Sequence, residues 1–106
     1  MDYEKRRKRI LGRMARIRCM EKGRLSEEYR EGTRDGKSVR LGPYYKHQRW
    51  EDGRNVSRRV PAGQVARLRK AVDGYHEFEA LAKEYAQLTI AMTRRADSAD
   101  SKKKPG

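Results

Sequence analysis

Tyr44, Lys46, Gln48 and Trp50 alternate with Tyr45, His47 and Arg49 in one short run, and Asp52-Gly53 leads into a second run holding Arg54, Ser57, Arg58 and Arg59. Guanidinium and ammonium groups grip phosphate oxygens, carboxamides hydrogen-bond base edges, and aromatic rings lie against bases or sugars. That mixture is the chemistry of a nucleic-acid contact. It is also what an ordinary solvated strand face carries, because Tyr and Trp are good sheet formers. A second cluster lies at the start of the chain, where Lys5, Arg9, Arg13 and Arg16 recur at helical spacing. Ten Lys/Arg fall between Lys5 and Arg24, more than solubility requires. This predicts contact with backbone phosphates, in a groove or across it. A helix lying on an anionic membrane is another reading of the same run; Gly12 and the lack of an aromatic anchor beyond Tyr3 count against it. The expected nucleic-acid-binding residues are Lys5, Arg9, Arg13, Arg16, Tyr44, Lys46, Gln48, Arg49, Trp50, Arg54, Arg58 and Arg59.

Catalytic chemistry finds no comparable set. There is no Gly-rich phosphate loop and no nucleophile beside a base in a motif. Asp35, Glu51 and Asp52 fall in predicted turns, where acids sit for backbone reasons. A nuclease needs carboxylates converging on a metal ion, and none can be assembled. The single cysteine, Cys19, excludes an intramolecular disulfide and a Cys-based zinc site, and reads as a small buried thiol. His47 and His76 lack neighbours at metal-ligand spacing, although His47 beside Arg58 is also placed to touch a phosphate. No catalytic residue, metal or cofactor is expected.

Charge narrows the partner. The 106-residue chain carries 28 Lys/Arg against 15 Asp/Glu, a formal net charge of +13. Such a surface favours a polyanion, DNA or RNA before an anionic membrane. Hydrophobic residues make up only 35%, so one thin core is expected, with oligomerisation as a further source of burial. No stretch is apolar enough to span a membrane, and no signal-peptide core is visible, which predicts a cytoplasmic protein, nucleoid-associated if it binds DNA.

The positioning elements follow from periodicity. Tyr3, Ile10, Met14 and Ile17 share one side of a helix predicted over 3–22, with Gly23 as its stop. Residues 25–31 and 37–41 read as strands around a turn at 32–36. Gly42-Pro43 punctuates the chain, and 44–60 form a hairpin closed by Asp52-Gly53. A two-residue loop pairs Arg49 with Val56, His47 with Arg58 and Tyr45 with Val60. Tyr45, Val56 and Val60 then face the core, while Tyr44, Lys46, Gln48, Trp50, Ser57 and Arg59 face out. Pro61 opens a last helix to about Arg95. Its apolar stripe includes Leu68, Val72, Tyr75, Phe78, Tyr85 and Leu88. At roughly 50 Å the helix outruns the sheet, so the excess stripe predicts packing on the first helix or on a second copy, and these six form the expected dimer or partner seam.

The fold class is therefore α+β: a basic N-terminal helix, a small antiparallel sheet of two to four strands, and a long C-terminal amphipathic helix. The organisation reads as a basic helical extension at 1–23, a sheet-plus-helix domain at 24–95, and a basic tail at 96–106 that is expected to be disordered.

Residues 24–88 resemble a small uncharacterised bacterial and archaeal domain family. The carrying residues are Gly23-Arg24-Leu25-Ser26 with Tyr29-Arg30, then Gly42-Pro43-Tyr44-Tyr45, Gly53-Arg54, and Ser57-Arg58 with Val60-Pro61, followed by a helix with Tyr75 and Phe78. Members are similar to proteins associated with transposases and other mobile elements, which implies nucleic-acid work in DNA mobility. Relatives often carry cysteines between the Tyr-Arg and Gly-Pro-Tyr-Tyr elements; residues 31–41 here have none, so no metal role transfers. The first helix lies outside the resemblance. A looser likeness is to the three-stranded arm-binding domain of tyrosine recombinases, which is an analogy of fold.

The expected function is non-enzymatic nucleic-acid binding, with duplex DNA ahead of RNA. The alternative is an adaptor whose long helix docks on a transposase, a recombinase or another partner.

Overall fold

The structure, a computed structural model, describes residues 2–103, with side chains as far as Ala99. Five elements follow in order: α1 (Tyr3–Arg16), β1 (Arg24–Arg34), β2 (Lys37–Glu51), β3 (Arg54–Val60) and α2 (Ala62–Lys103). The α+β class and the sequence of helix, antiparallel sheet and long helix are as expected. Two compact units share α2: residues 1–18 with 76–106, and residues 19–75.

In the first unit, Asp2 caps α1, its carboxylate accepting from the Lys5 backbone N–H at 3.1 Å. The predicted stripe is the buried one. Ile10, Leu81 and Leu88 form the core, with Tyr3, Met14, Ile17 and Tyr85 packed against it. Each buried aliphatic contributes roughly 1.5–3 kcal/mol. The second part of α2 thus packs on α1, one of the two options its over-long stripe raised.

Helix α1 stops at Arg16, six residues before the predicted end. Ile17 is already extended (φ −73, ψ 114), and its N–H turns back to the Met14 carbonyl at 3.2 Å. The backbone beyond finds tertiary partners instead of helical ones. In the second unit the Glu21 N–H donates to the Ala71 carbonyl at 2.9 Å, and the Lys22 carbonyl accepts from His47 Nε2 at 2.8 Å. Gly23 is therefore no helix stop. It has φ +103, and a Cβ there would collide with the Gln48 carbonyl and the Arg49 side chain. Glycine is needed because the chain crosses β2 at contact distance.

The second unit holds one antiparallel sheet of order β1-β2-β3. Both hairpins turn on Asp-Gly: Asp35 and Gly36 at φ 54 and 74, Asp52 and Gly53 at φ 51 and 77. Two consecutive positive φ values match the right-handed twist of the strands they join. Across the second hairpin the register is Tyr45 with Val60, His47 with Arg58 and Arg49 with Val56, as the loop length requires.

Gly42-Pro43 does not divide β2 into two strands. Glu28 pairs with Tyr44 and Arg30 with Leu41, so Tyr29 alone opposes Gly42 and Pro43 in a register shift. Pro43 occupies a place where the ladder needs no donor, and pairing continues on both sides.

Val60, Val65 and Val72 are this unit's buried aliphatics, together with His47, which is 1% exposed. Of the predicted dimer seam, Val72 is buried here, and Leu88 and Tyr85 belong to the core of the first unit. Leu68, Tyr75 and Phe78 are half-buried. Helix α2 continues to Lys103 rather than ending near Arg95. Residues 96–103 contain neither Gly nor Pro, and the first breaker is Pro105. Residues 104–106 of the expected disordered tail lie outside the described residues.

Candidate nucleic-acid interface

Strand alternation splits the predicted hairpin residues between two faces. Tyr44, Lys46, Gln48 and Trp50 share one face with Ser57 and Arg59, to which β1 adds Arg24 opposite Gln48, Ser26 opposite Lys46 and Glu28 opposite Tyr44. Arg49, Arg54 and Arg58 project from the other face, that of Val56, Val60 and buried His47. The two sets are chemically different as well as opposite.

On the His47 face, Arg49 is engaged locally, whereas Arg54 and Arg58 are exposed. Arg49 Nε donates to Glu51 at 2.8 Å, and Lys22 Nζ lies 3.9 Å from the same carboxylate. The Arg49 hydrogen bond and charge hold the Glu51 carboxyl below its ordinary range. His47 donates from Nε2 to the Lys22 carbonyl, while its buried Nδ1 has no partner among the described residues. At 1% exposure His47 cannot reach a phosphate, so the contact suggested by its place beside Arg58 is not made.

The opposite face is open and cationic. Arg24, Arg30 and Arg59 are exposed and Lys46 is half-buried; none of the four has an ion-pair partner among the described residues. The Tyr44 ring lies between two of them, with the guanidinium carbon of Arg59 at 4.4 Å from the ring centroid and that of Arg30 at 5.2 Å. A cation held against an aromatic ring gains about 0.5–1 kcal/mol at an exposed site and keeps its outward N–H groups free. Tyr44 thus works as a brace for two arginines brought in from β1 and β3. Sequence reasoning assigned it to bases or sugars, and missed Arg24 and Arg30. Their positions depend on the β1–β2 register across the Tyr29 bulge, which no local pattern reveals. Trp50 completes this face at 67% exposure, opposite Asn55.

Beyond the bulge a second aromatic pair forms. Arg40 sits 3.8 Å from the Tyr29 ring centroid, and the Tyr29 hydroxyl donates to Glu27 at 2.6 Å, which pushes the phenol above its usual range. Glu27 lies opposite Tyr45, so this pair belongs to the His47 side of the sheet.

In the first unit, the cations of α1 divide by helical face. Arg7 donates to Glu4 at 2.9 Å and to the Tyr85 hydroxyl at 2.7 Å, and Arg6 meets Glu84 at 3.4 Å. These two serve packing. Of the predicted stripe, Lys5, Arg9 and Arg16 are exposed without ion-pair partners among the described residues. Arg13 lies 3.8 Å from Glu77, an exposed pair worth about 0–1 kcal/mol and easily exchanged for another anion.

Among the described residues, no three His, Cys, Asp or Glu side chains gather where they could hold one metal ion. No described helix is long and apolar enough to cross a membrane.

Fold and surface together define a small α+β domain with an open basic sheet face and an exposed basic helix stripe. A family model described as a domain of unknown function (DUF6788) matches residues 1–70, and the chain belongs to that family. The matched span takes in α1, which the sequence resemblance left outside, and stops within α2, short of Tyr75 and Phe78. Comparisons with curated proteins and with solved structures return no match.

Proposed function

We propose that this chain is a non-enzymatic nucleic-acid-binding protein whose phosphate contacts come from the open sheet face and from the outer stripe of α1. One observation carries the reading: Arg24, Arg30, Lys46 and Arg59 are gathered on one face with a single acid, Glu28, among them, and none of the four has an ion-pair partner among the described residues. Bringing like charges together on a sheet is unfavourable unless an anion neutralises them. A phosphodiester backbone is the polyanion whose spacing and reach suit an extended surface of this kind. Lys5, Arg9 and Arg16 extend the same chemistry onto α1.

Resemblance of the Gly42–Tyr45 and Ser57–Pro61 elements to proteins associated with mobile elements supports work in DNA mobility, beside a transposase or recombinase. The test is fluorescence anisotropy with labelled duplex DNA, single-stranded DNA and structured RNA across a salt series. Binding that falls steeply and linearly in log–log form supports the proposal. Affinity that ignores salt sinks it.

A second reading, docking of a protein partner on α2, has one observation in its favour. Ile90 is 46% exposed and lies along a shallow apolar groove with Tyr85, Ala86, Thr89 and Thr93. Replacing Ile90 with Lys separates the two readings, because it leaves a phosphate contact intact.

A further inference from the structure

We infer that Trp50 is a stacking platform for an unpaired base, so that the ligand class of the open face is single-stranded nucleic acid. The inference rests on the phosphate-binding reading above and goes further by naming the form of the strand. Tryptophan is on average among the more buried residues of folded domains. Here two-thirds of its surface is open, and it is the most exposed large hydrophobic side chain on the sheet. It stands at the end of the central strand, beyond the point where β1 begins opposite Gln48, so only β3 flanks it in the ladder.

Its neighbours on this face suit a base. Asn55 lies directly across and Gln48 two residues along the strand, each with a carboxamide that both donates and accepts. Arg24, opposite Gln48, supplies the cation nearest in register. The other aromatic of the face is already engaged, since two guanidiniums lie against the Tyr44 ring. Trp50 is the ring left free to stack. Bases of an intact duplex are stacked on one another and cannot present a π-face to a flat sheet. An unpaired strand can, and an aromatic platform accepts any base, because each has a π-face. For this face the inference favours unpaired strands over the duplex that the sequence puts first.

Trp50 is the only tryptophan in the chain, so intrinsic fluorescence reports this site alone. The full-length protein is titrated with oligo(dT), oligo(U) and a blunt duplex, following tryptophan emission and anisotropy in parallel. Oligo(dT) and oligo(U) separate DNA from RNA. The expected result is saturable quenching by single strands at the concentrations where anisotropy rises, and little quenching by duplex. Trp50→Ala, an exposed change, should weaken single-strand binding about 5- to 150-fold, the equivalent of about 1–3 kcal/mol per stacked base. It should leave duplex binding nearly unchanged, and Trp50→Phe should recover part of the loss. Tight, salt-sensitive binding with unquenched emission and an unaffected Trp50→Ala variant overturns the stacking role while the phosphate reading stands. Absence of binding to all three ligands overturns both.

Discussion

Tyr44 offers the sharpest test of how the open face works, because it separates charge from its placement. Replacing Tyr44 with Leu keeps an apolar side chain of moderate size and every positive charge. It removes the ring that holds Arg59 at 4.4 Å and Arg30 at 5.2 Å. Two cation–π contacts at about 0.5–1 kcal/mol each amount to about 1–2 kcal/mol of ordering made before the ligand arrives. Without the ring, both side chains must be immobilised at the moment of binding, at a cost of the same order. The expected loss of affinity is therefore about 5- to 30-fold. Because no charge is lost, the slope of log affinity against log salt should not move. Arg59→Gln should do the reverse, flattening the slope by about 0.9 on B-DNA or about 0.7 on a single strand. The assay is anisotropy at several salt concentrations for the unmodified chain, Tyr44→Leu, Tyr44→Phe and Arg59→Gln. Tyr44→Phe keeps the ring and should bind as the unmodified chain does, which controls for folding. An unchanged intercept in Tyr44→Leu beside a flattened slope in Arg59→Gln would refute pre-placement and leave only charge. A flattened slope in neither would remove the face from the interface.

Further outcomes follow from the same geometry. Arg54→Gln and Arg58→Gln lie on the His47 face and should leave the salt slope as it is, measured by the same titration. Glu51 is held below the ordinary carboxylate range by Arg49, so its folded pKa lies under its unfolded one. The stability it contributes is complete above the ordinary range near about pH 4.3 and is lost as pH falls through the folded value. Melting curves of Glu51→Gln against the unmodified chain should therefore differ most near neutral pH and converge in acid. Leu81→Ala should lose about 2–5 kcal/mol, read by denaturant titration, because Leu81 is 3% exposed in the core with Ile10 and Leu88.

Much of this architecture is legible in the sequence because its signals are local. Asp52-Gly53 demands a two-residue turn, and that turn alone sets the pairing of Tyr45, His47 and Arg49. Ile10, Met14 and Ile17 announce the buried side of α1 by spacing alone. What escaped depends on contacts between distant residues. Past the early end of α1 the Glu21 N–H donates to the Ala71 carbonyl and the His47 side chain donates to the Lys22 carbonyl, contacts that no helix signal at Ile17 encodes. Continuity of β2 through Gly42-Pro43 depends on the bulge at Tyr29 in the opposing strand. The hairpin cations expected together fall on two faces by strand alternation. The same alternation that sends Val56 and Val60 inward sends Arg54 and Arg58 to their side.

Part of the charge is committed to ion pairs within the fold. Glu4, Glu84 and Glu51 are each committed to a cation that also packs or braces: Arg7 on Tyr85, Arg6 along α2, Arg49 beside His47. Such pairs leave the net charge of +13 intact, and the open sheet face, with Glu28 as its one acid beside Arg24, Arg30, Lys46 and Arg59, holds a share of it. On the sheet, Arg30 and Arg59 approach the same ring from different strands, so their mutual repulsion is borne by the native state and absent from the unfolded chain. A polyanion that binds the folded form relieves that repulsion, and by linkage it must raise the folding stability in step with its own affinity. On the proposed reading, the same electrostatics that make the bare face a weak point of the fold would make it the place where a phosphate backbone gains most.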